Sequence, residues 1–187
     1  MFKRIIAVSA VAIGLAGCYR WVPGEDVSAE GHPDPDGRVL VHGGLTGPSV
    51  SFYADRVVGP TINMSRQRDG TWAGWIHDRA IFLKAVPGHI SSSSLTMDIR
   101  DLPEGVEMSG LWVNGHEIRN QISMRVTPKE LFVRQPFART QVYLEASGKG
   151  PGSYGTGIFG ESVELKGAAA LPHPPQPQFA LAMLGAF

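Results

Sequence analysis

The feature that most constrains the fold of this chain is a strict alternation of apolar and polar residues along short segments. In the stretch SLTMDIRD, residues 94–101, Leu95, Met97 and Ile99 alternate with polar side chains. Successive side chains of an extended chain point to opposite faces, so a period of two predicts a strand with one buried face.

Turn signals separate such segments. Asn114-Gly115 and Asp69-Gly70 each stand between two strand-like runs, and pairs of this kind supply the positive φ angles that tight hairpin turns need. In the run after the first pair, four apolar residues share one predicted face: Ile118, Ile122, Met124 and Val126. Further strands are predicted at 49–58, 80–86, 130–134, 139–146 and 158–166.

These segments predict the fold class. Behind the first eighteen residues, we find no helical periodicity sustained over the ten or so residues that a helix needs. The number and spacing of the strands predict an all-β domain, either an antiparallel β-sandwich or a small closed β-barrel. With 187 residues the chain fits one domain, and its balance of 17 basic and 17 acidic residues argues against nucleic acid as a partner.

The N-terminus has the anatomy of a secretory signal. The positively charged start, Met1 to Arg4, precedes an apolar run from Ile5 to Gly14, and small residues lead to Cys18, the only cysteine in the sequence. The apolar run is shorter than the roughly 18 residues that a membrane-spanning helix needs. We therefore expect this segment to be removed after export.

The motif Leu15-Ala16-Gly17-Cys18 resembles the lipobox of bacterial lipoproteins. The resemblance implies cleavage between Gly17 and Cys18, a diacylglyceryl group on the Cys18 thiol and a further acyl chain on the new amino terminus. These chains would make the membrane a partner of the protein, because several acyl chains anchor stably where one does not. In enteric bacteria an aspartate after the cysteine retains a lipoprotein in the inner membrane. Tyr19 stands there instead, so the resemblance implies the outer membrane, with surface exposure left open.

The composition divides the chain into four segments. We expect a signal peptide at 1–17, a lipidated N-terminus and flexible tether at 18–38, a β-domain at 39–168, and a proline-rich linker with an apolar tail at 169–187. The tether is rich in proline, glycine and acidic residues and lacks helical or strand periodicity.

The apolar tail has two interpretations at this stage. Four prolines precede it, and they disfavour a sheet interior: Pro172, Pro174, Pro175 and Pro177. Four large apolar residues would share one face of an extended tail and are candidates for partner docking: Phe179, Leu181, Met183 and Phe187. The tail is expected either to fold back on its own sheet as an edge strand or to dock on an envelope protein or the membrane.

The sequence identifies no catalytic, cofactor-binding or metal-binding residues. The glycine motifs GPGSYG and GTGIFG, within 150–160, match a dinucleotide-binding pattern, but a strand rather than a helix is predicted to follow them. The near-zinc motif HEIRNQ has Asn120 where the second histidine would stand.

These observations favour a non-enzymatic binding or scaffolding module, anchored by lipid to the outer membrane and facing the periplasm. Two alternatives stay open. An envelope hydrolase would have to assemble its site from separate strands, for example from Asp101, Glu104 and His116. A small integral outer-membrane barrel would need an apolar band around its outer face.

Overall fold

The fold is a closed antiparallel β-barrel. The computed structural model describes four stretches of the chain: residues 42–114, 118–135, 141–156 and 161–187. Within them, fourteen strands each pair with the next along the chain, and the first pairs with the last. The predicted all-β class is confirmed, in its barrel form. Several sequence predictions fall outside the described residues, namely those at Gly17, Cys18, Gly115 and His116 and in the tether.

The strands follow one another as an up-and-down meander. In chain order they are β1 Gly43–Thr46, β2 Val50–Phe52, β3 Arg56–Gly59, β4 Ile62–Arg66, β5 Thr71–Ile76, β6 Arg79–Val86, β7 His89–Ser91, β8 Leu95–Leu102, β9 Gly105–Asn114, β10 Ile118–Val126, β11 Glu130–Arg134, β12 Val142–Ala146, β13 Ser153–Gly155 and β14 Ser162–Gly167. Gly43 of β1 lies opposite Gly167 of β14, and this pairing closes the barrel.

The alternation in the sequence becomes the inside and the outside of the barrel wall. Six of the positions predicted to share one face are buried: Leu95, Met97 and Ile99 in β8, and Ile122, Met124 and Val126 in β10. The side chain of Ile118 lies outside the described part of the structure. The side chains between Leu95 and Ile99 are exposed. Strand β10 pairs with β9 from Ile118 opposite Asn114 to Val126 opposite Val106, so the predicted pairing of these two runs is confirmed, while the turn predicted at Asn114-Gly115 extends into residues outside the described ones.

The strand predicted at 49–58 is wrong, because the chain turns back within it. Phe52 and Val57 are five residues apart, and one continuous strand would place them on opposite faces. A turn at 53–55, where the Tyr53 N–H donates to the Arg56 carbonyl at 2.8 Å, instead places these two residues opposite each other in β2 and β3. Both are fully buried as a result.

The hairpin predicted at Asp69-Gly70 is confirmed. The Gly70 N–H donates to the Gln67 carbonyl at 3.0 Å, and Gly70 has a φ of 85°, which glycine adopts at little cost. The Asp69 carboxylate accepts from the Thr71 N–H at 3.0 Å and from its hydroxyl at 2.6 Å, and these bonds lower the pKa of Asp69.

The C-terminal tail is a helix, which corrects the prediction of an edge strand. Helix α1 covers Gln178–Ala186, and its residues from Phe179 to Leu184 are at most 1% exposed. Because six consecutive residues cover the whole circumference of a helix, α1 is enclosed on all sides. It packs against β1 to β4 inside the barrel.

Side chains from the two ends of the barrel hold α1. We call rim A the end with the turns 53–55, 67–70 and 87–88, and rim B the end with the turns 60–61 and 77–78. At rim A, Gln178 Nε2 donates to the Ala54 carbonyl at 2.9 Å. At rim B, the Thr61 hydroxyl donates to the Gly185 carbonyl, and His77 Nε2 lies 3.2 Å from the Leu184 carbonyl. The helix therefore runs through the barrel from rim A to rim B.

The segment between β14 and α1 covers rim A. A short 3₁₀ helix at Ala168–Ala170 leaves the wall, and the chain then crosses the end of the barrel. Gln176 fastens this crossing, because its Oε1 accepts from the Gly88 N–H at 2.8 Å and its Nε2 donates to Asp101 Oδ1 at 2.9 Å. The segment predicted as a linker and tail is thus packed against the β-domain.

Candidate interaction surface

The barrel interior is filled by side chains. Barrels of eight strands are just filled by their own side chains, whereas those of sixteen or more enclose a channel. Fourteen strands therefore leave internal space, and α1 occupies it. The rings of Phe179 in α1 and Phe52 in β2 meet edge to face with centroids 6.3 Å apart, and Trp72 and Trp112 are each 1% exposed.

A small cavity of about 150 Å³ lies at rim A, under the crossing segment. Its lining includes Glu104, Tyr154, Pro172 and Pro174. The Tyr154 hydroxyl donates to the Thr127 carbonyl at 2.8 Å, and burial raises the pKa of this tyrosine. The lining is mostly apolar and prolyl, so the cavity offers little chemistry beyond close packing.

The residues considered for a hydrolase do not form a site in the described part of the chain. Asp101 bonds Gln176 and lies 3.8 Å from His173 Nδ1, and Glu104 lines the rim A cavity. The third candidate, His116, is outside the described residues. No cluster of three or more histidine, cysteine, aspartate or glutamate side chains suited to a metal ion occurs among the residues described.

One histidine and carboxylate pair is exposed on the wall. His89 Nδ1 lies 2.7 Å from Asp98 Oδ1, across β7 and β8. Covalent catalysis by such a pair needs a nucleophilic side chain next to the histidine. The backbone register instead places Val86 opposite His89 on the other side, so the pair is a cross-strand contact.

A wider cleft of about 620 Å³ lies near β12, β13 and β14. Its lining carries Glu145, Glu164 and Lys149 together with small polar residues. Lys166 Nζ lies 3.7 Å from Glu164 Oε2 across an exposed contact. These charges are spread over an open surface, and such exposed contacts contribute little energy.

An ion-pair network stiffens the wall at β8, β9 and β10. The Glu107 carboxylate accepts from Arg125 Nη2 at 2.7 Å and from Arg100 Nη2, and these bonds lower the pKa of Glu107. Arg125 also reaches Glu130 at 3.7 Å, and the Tyr143 hydroxyl donates to Glu130 at 3.1 Å.

This network predicts a pH dependence of stability. A carboxylate whose pKa is lower in the folded state stabilises the fold above its unfolded pKa, and this contribution is lost as the pH falls through the folded value. We expect Glu107→Gln to reduce the free energy of unfolding at pH 7 by at most about 1 kcal/mol. Urea unfolding should show this difference shrinking as the pH falls below the ordinary pKa of a glutamate, about 4.3, and a difference that stays constant or grows on acidification would contradict the assignment.

The wall at β3 to β6 has a different character. We call its outward side chains Arg56, Trp75, Phe82, Lys84 and Val86 the basic aromatic face. Phe82 is 76% exposed, Val86 43% and Trp75 36%. Exposed apolar patches of this kind mark interaction sites. The face is therefore the strongest candidate surface among the described residues.

The backbone register sets the geometry of this face. Phe82 lies opposite Ala73, and Trp75 lies opposite Ala80, so the two rings are diagonal neighbours across β5 and β6. Because the residues opposite them are both alanines, the Phe82 and Trp75 rings project beyond their cross-strand neighbours. Lys84 is two residues from Phe82 on the same side of β6, so it lies about 7 Å further along the strand.

The candidate docking residues of the tail lie elsewhere. Phe179, Leu181 and Met183 are inside the barrel, and Phe187 is partly buried against the same core. In the described structure these side chains contact the chain's own strands. No sequence motif marks Trp75 or Phe82 as an interaction site. Their signal was the alternation itself, which places Ile81 and Leu83 inward and Phe82 outward.

The molecule is thus a helix-filled, up-and-down barrel with an apolar interior and one basic aromatic face. Comparisons with known families, with curated proteins and with solved structures gave no match for this chain. Within the described residues, no helix is long and apolar enough to cross a membrane.

Proposed function

We propose that the protein is a lipid-anchored, non-enzymatic binding or scaffolding module of the cell envelope, facing the periplasm from the outer membrane. The observation that supports the binding role best is the filled interior. Since α1 occupies the volume in which a barrel of this size would hold a ligand, recognition falls to the outer wall and the rims.

The distribution of polarity supports a domain that folds in water. Membrane barrels have a polar interior and an apolar outer band. Here the interior is apolar, and the outward positions of β8 to β10 carry Asp98, Arg100, Glu107 and Arg125. This pattern favours the anchored module over the integral barrel.

The contacts of the polar side chains disfavour the hydrolase. Asp101 is engaged with the segment that covers rim A, and the exposed pair of His89 and Asp98 has Val86 as its other neighbour. A binding module needs no assembled acid and base, so it accounts for the same residues more simply.

The anchor can be tested through one sulfur. We expect the wild-type chain, expressed in an enteric bacterium, to incorporate labelled palmitate, and Cys18→Ser to abolish both labelling and cleavage because the thiol is the acylated group. Tyr19→Phe is the matched control and should label normally. Labelling that is unchanged in the serine variant would rule out the lipid anchor.

The membrane assignment has a test of its own. In the same host, Tyr19→Asp should move the labelled protein from outer-membrane to inner-membrane fractions of a density gradient, because the lipoprotein resemblance gives aspartate at this position a retention role. Wild-type protein found in the inner-membrane fraction would contradict the outer-membrane assignment.

A further inference from the structure

We propose that the basic aromatic face docks the barrel side-on against an anionic phospholipid surface. This inference rests on the proposed function, because the lipid anchor supplies the membrane. It adds the chemistry of the partner and the residues that contact it: Trp75, Phe82 and Val86 as apolar contacts, and Arg56 and Lys84 as charged ones.

The side chains of the face match the boundary of a bilayer. Tryptophan and phenylalanine favour the interface between headgroups and acyl chains, and lysine and arginine keep their charge in water while their stems cover apolar surface. Phe82 is the most exposed of the large apolar residues described. On the curved wall it stands on β6 with Ala80, Lys84 and Val86, which are all exposed as well.

The charge of this part of the wall favours a partner with negative charge. The outward positions of β3 to β6 carry Arg56 and Lys84 and no carboxylate. At rim A the bordering residues include Asp55 and Asp69, the latter bonded to Thr71 opposite Lys84, and the exposed Arg66 and Arg68, so basic residues exceed acidic ones by two. The register places Arg56 opposite Ser65, Ser65 opposite Ala73 and Ala73 opposite Phe82, so Arg56 is about 14 Å from Phe82 in one row. The outward positions of β8 to β12 carry four carboxylates, Asp98, Glu107, Glu130 and Glu145, but they also carry three arginines, Arg100, Arg125 and Arg134, so that wall has nearly balanced charge.

The size of the face favours a lipid surface over a protein. A stable protein interface uses roughly 20 to 30 residues on each side, and this face offers three apolar side chains and two cations. Such a small surface suffices when an anchor already holds the domain at high effective concentration. The composition of residues 18–38 predicts a tether, and a coil of that many residues averages about 25 Å, a length that leaves the wall within reach of the membrane.

The experiment uses the full chain purified from membranes and reconstituted into vesicles. One set contains equal parts phosphatidylglycerol and phosphatidylcholine, the other phosphatidylcholine alone, and the acyl chains are brominated so that they quench tryptophan. Two of the four tryptophans, Trp72 and Trp112, are 1% exposed in the core. The difference between wild type and Trp75→Phe isolates the signal of Trp75.

We expect Trp75 to be quenched in the anionic vesicles and much less in the zwitterionic ones. Each basic side chain near an anionic surface favours association about fivefold, so Lys84→Glu should weaken the docked state by more than about fivefold. Arg134→Glu makes the same charge change at an exposed position on β11 and should leave the quenching of Trp75 unchanged.

The other outcomes overturn the inference. Trp75 could be unquenched in both kinds of vesicle, or equally quenched in both. Lys84→Glu and Arg134→Glu could weaken the quenching of Trp75 equally. Protection of Trp75 could also depend on protein concentration rather than on lipid, which would indicate a protein partner. Palmitate labelling separates the two proposals. A labelled chain with unquenched Trp75 keeps its anchor and loses the docking face. An unlabelled chain overturns the proposed function, while quenching on added vesicles still reports on the face.

Discussion

Removing residues 178–187 should abolish the cooperative unfolding of the barrel. The deletion takes away six side chains that are at most 1% exposed and leaves the apolar inner wall of a fourteen-strand barrel facing an open space. Truncating a single buried leucine, methionine or phenylalanine costs about 2 to 5 kcal/mol, whereas a whole domain is stable by only about 5 to 15 kcal/mol. Thermal unfolding followed by circular dichroism should show no sharp transition.

Point variants keep this prediction testable in a chain that still folds. Phe179→Ala should lower the free energy of unfolding by about 3 to 5 kcal/mol, because the ring packs against Phe52 in the core. Leu171→Ser, in the segment that leads to α1, is the matched control, since Leu171 is 54% exposed. It should change stability by less than about 0.5 kcal/mol. A loss in Phe179→Ala as small as that expected for Leu171→Ser would mean that α1 contributes no core.

Gly74→Ala should be among the most damaging single substitutions in the wall. Gly74 lies within β5, its φ is 154°, and a methyl group there would run into the Asn63 carbonyl of the neighbouring strand. Because the obstacle is backbone, no rotamer change relieves it. Overpacking of this kind costs about 1 to 3 kcal/mol, and the disfavoured φ adds to that.

A second glycine separates the two contributions. Gly70 also has a positive φ, but a methyl group there meets nothing within 4 Å. Gly70→Ala should therefore cost only the backbone term, about 1 kcal/mol. We expect urea unfolding to show Gly74→Ala as the weaker variant by at least about 1 kcal/mol. Equal losses would contradict the close approach of β4 and β5.

The wall of the barrel was predictable from the sequence because its two faces differ in polarity. A strand with one face in water and one in the core has polar and apolar residues in alternation. Leu95, Met97 and Ile99 alternate in this way with polar residues. The turn at 53–55 carries no Gly or Pro between Ser49 and Val58, so the sequence predicts one continuous strand there. The odd interval from Phe52 to Val57 held the signal for the turn.

Helix α1 escaped prediction for the opposite physical reason. Helices are recognised by an apolar stripe on a polar background, and a helix that is enclosed on every side has no polar face to supply the period. The tail from Phe179 to Leu184 is apolar at every position. The prolines before it are typical of an extended chain, and in the structure they lie in the segment that crosses rim A.

The exposure of residues in the basic aromatic face could be predicted from the sequence, but their proximity could not be predicted without the fold. Alternation alone assigns Phe82 to the outside of β6. Only the register brings it beside Trp75 and into one row with Arg56, because that proximity depends on how β3 to β6 pair. Surfaces formed across strands have no single sequence motif, so pairing has to be known first.

Native-state hydrogen exchange tests the central claim, that α1 is the core of the barrel, most directly. The Leu181 N–H donates to the Pro177 carbonyl at 3.0 Å inside the wall, so the amides of residues 181–184 should exchange only when the whole barrel unfolds. Their opening free energy should equal that of Met108 and Met124 in β9 and β10. Exchange of α1 that is orders of magnitude faster, with β9 and β10 still protected, would show that the helix leaves an intact barrel and would contradict the account.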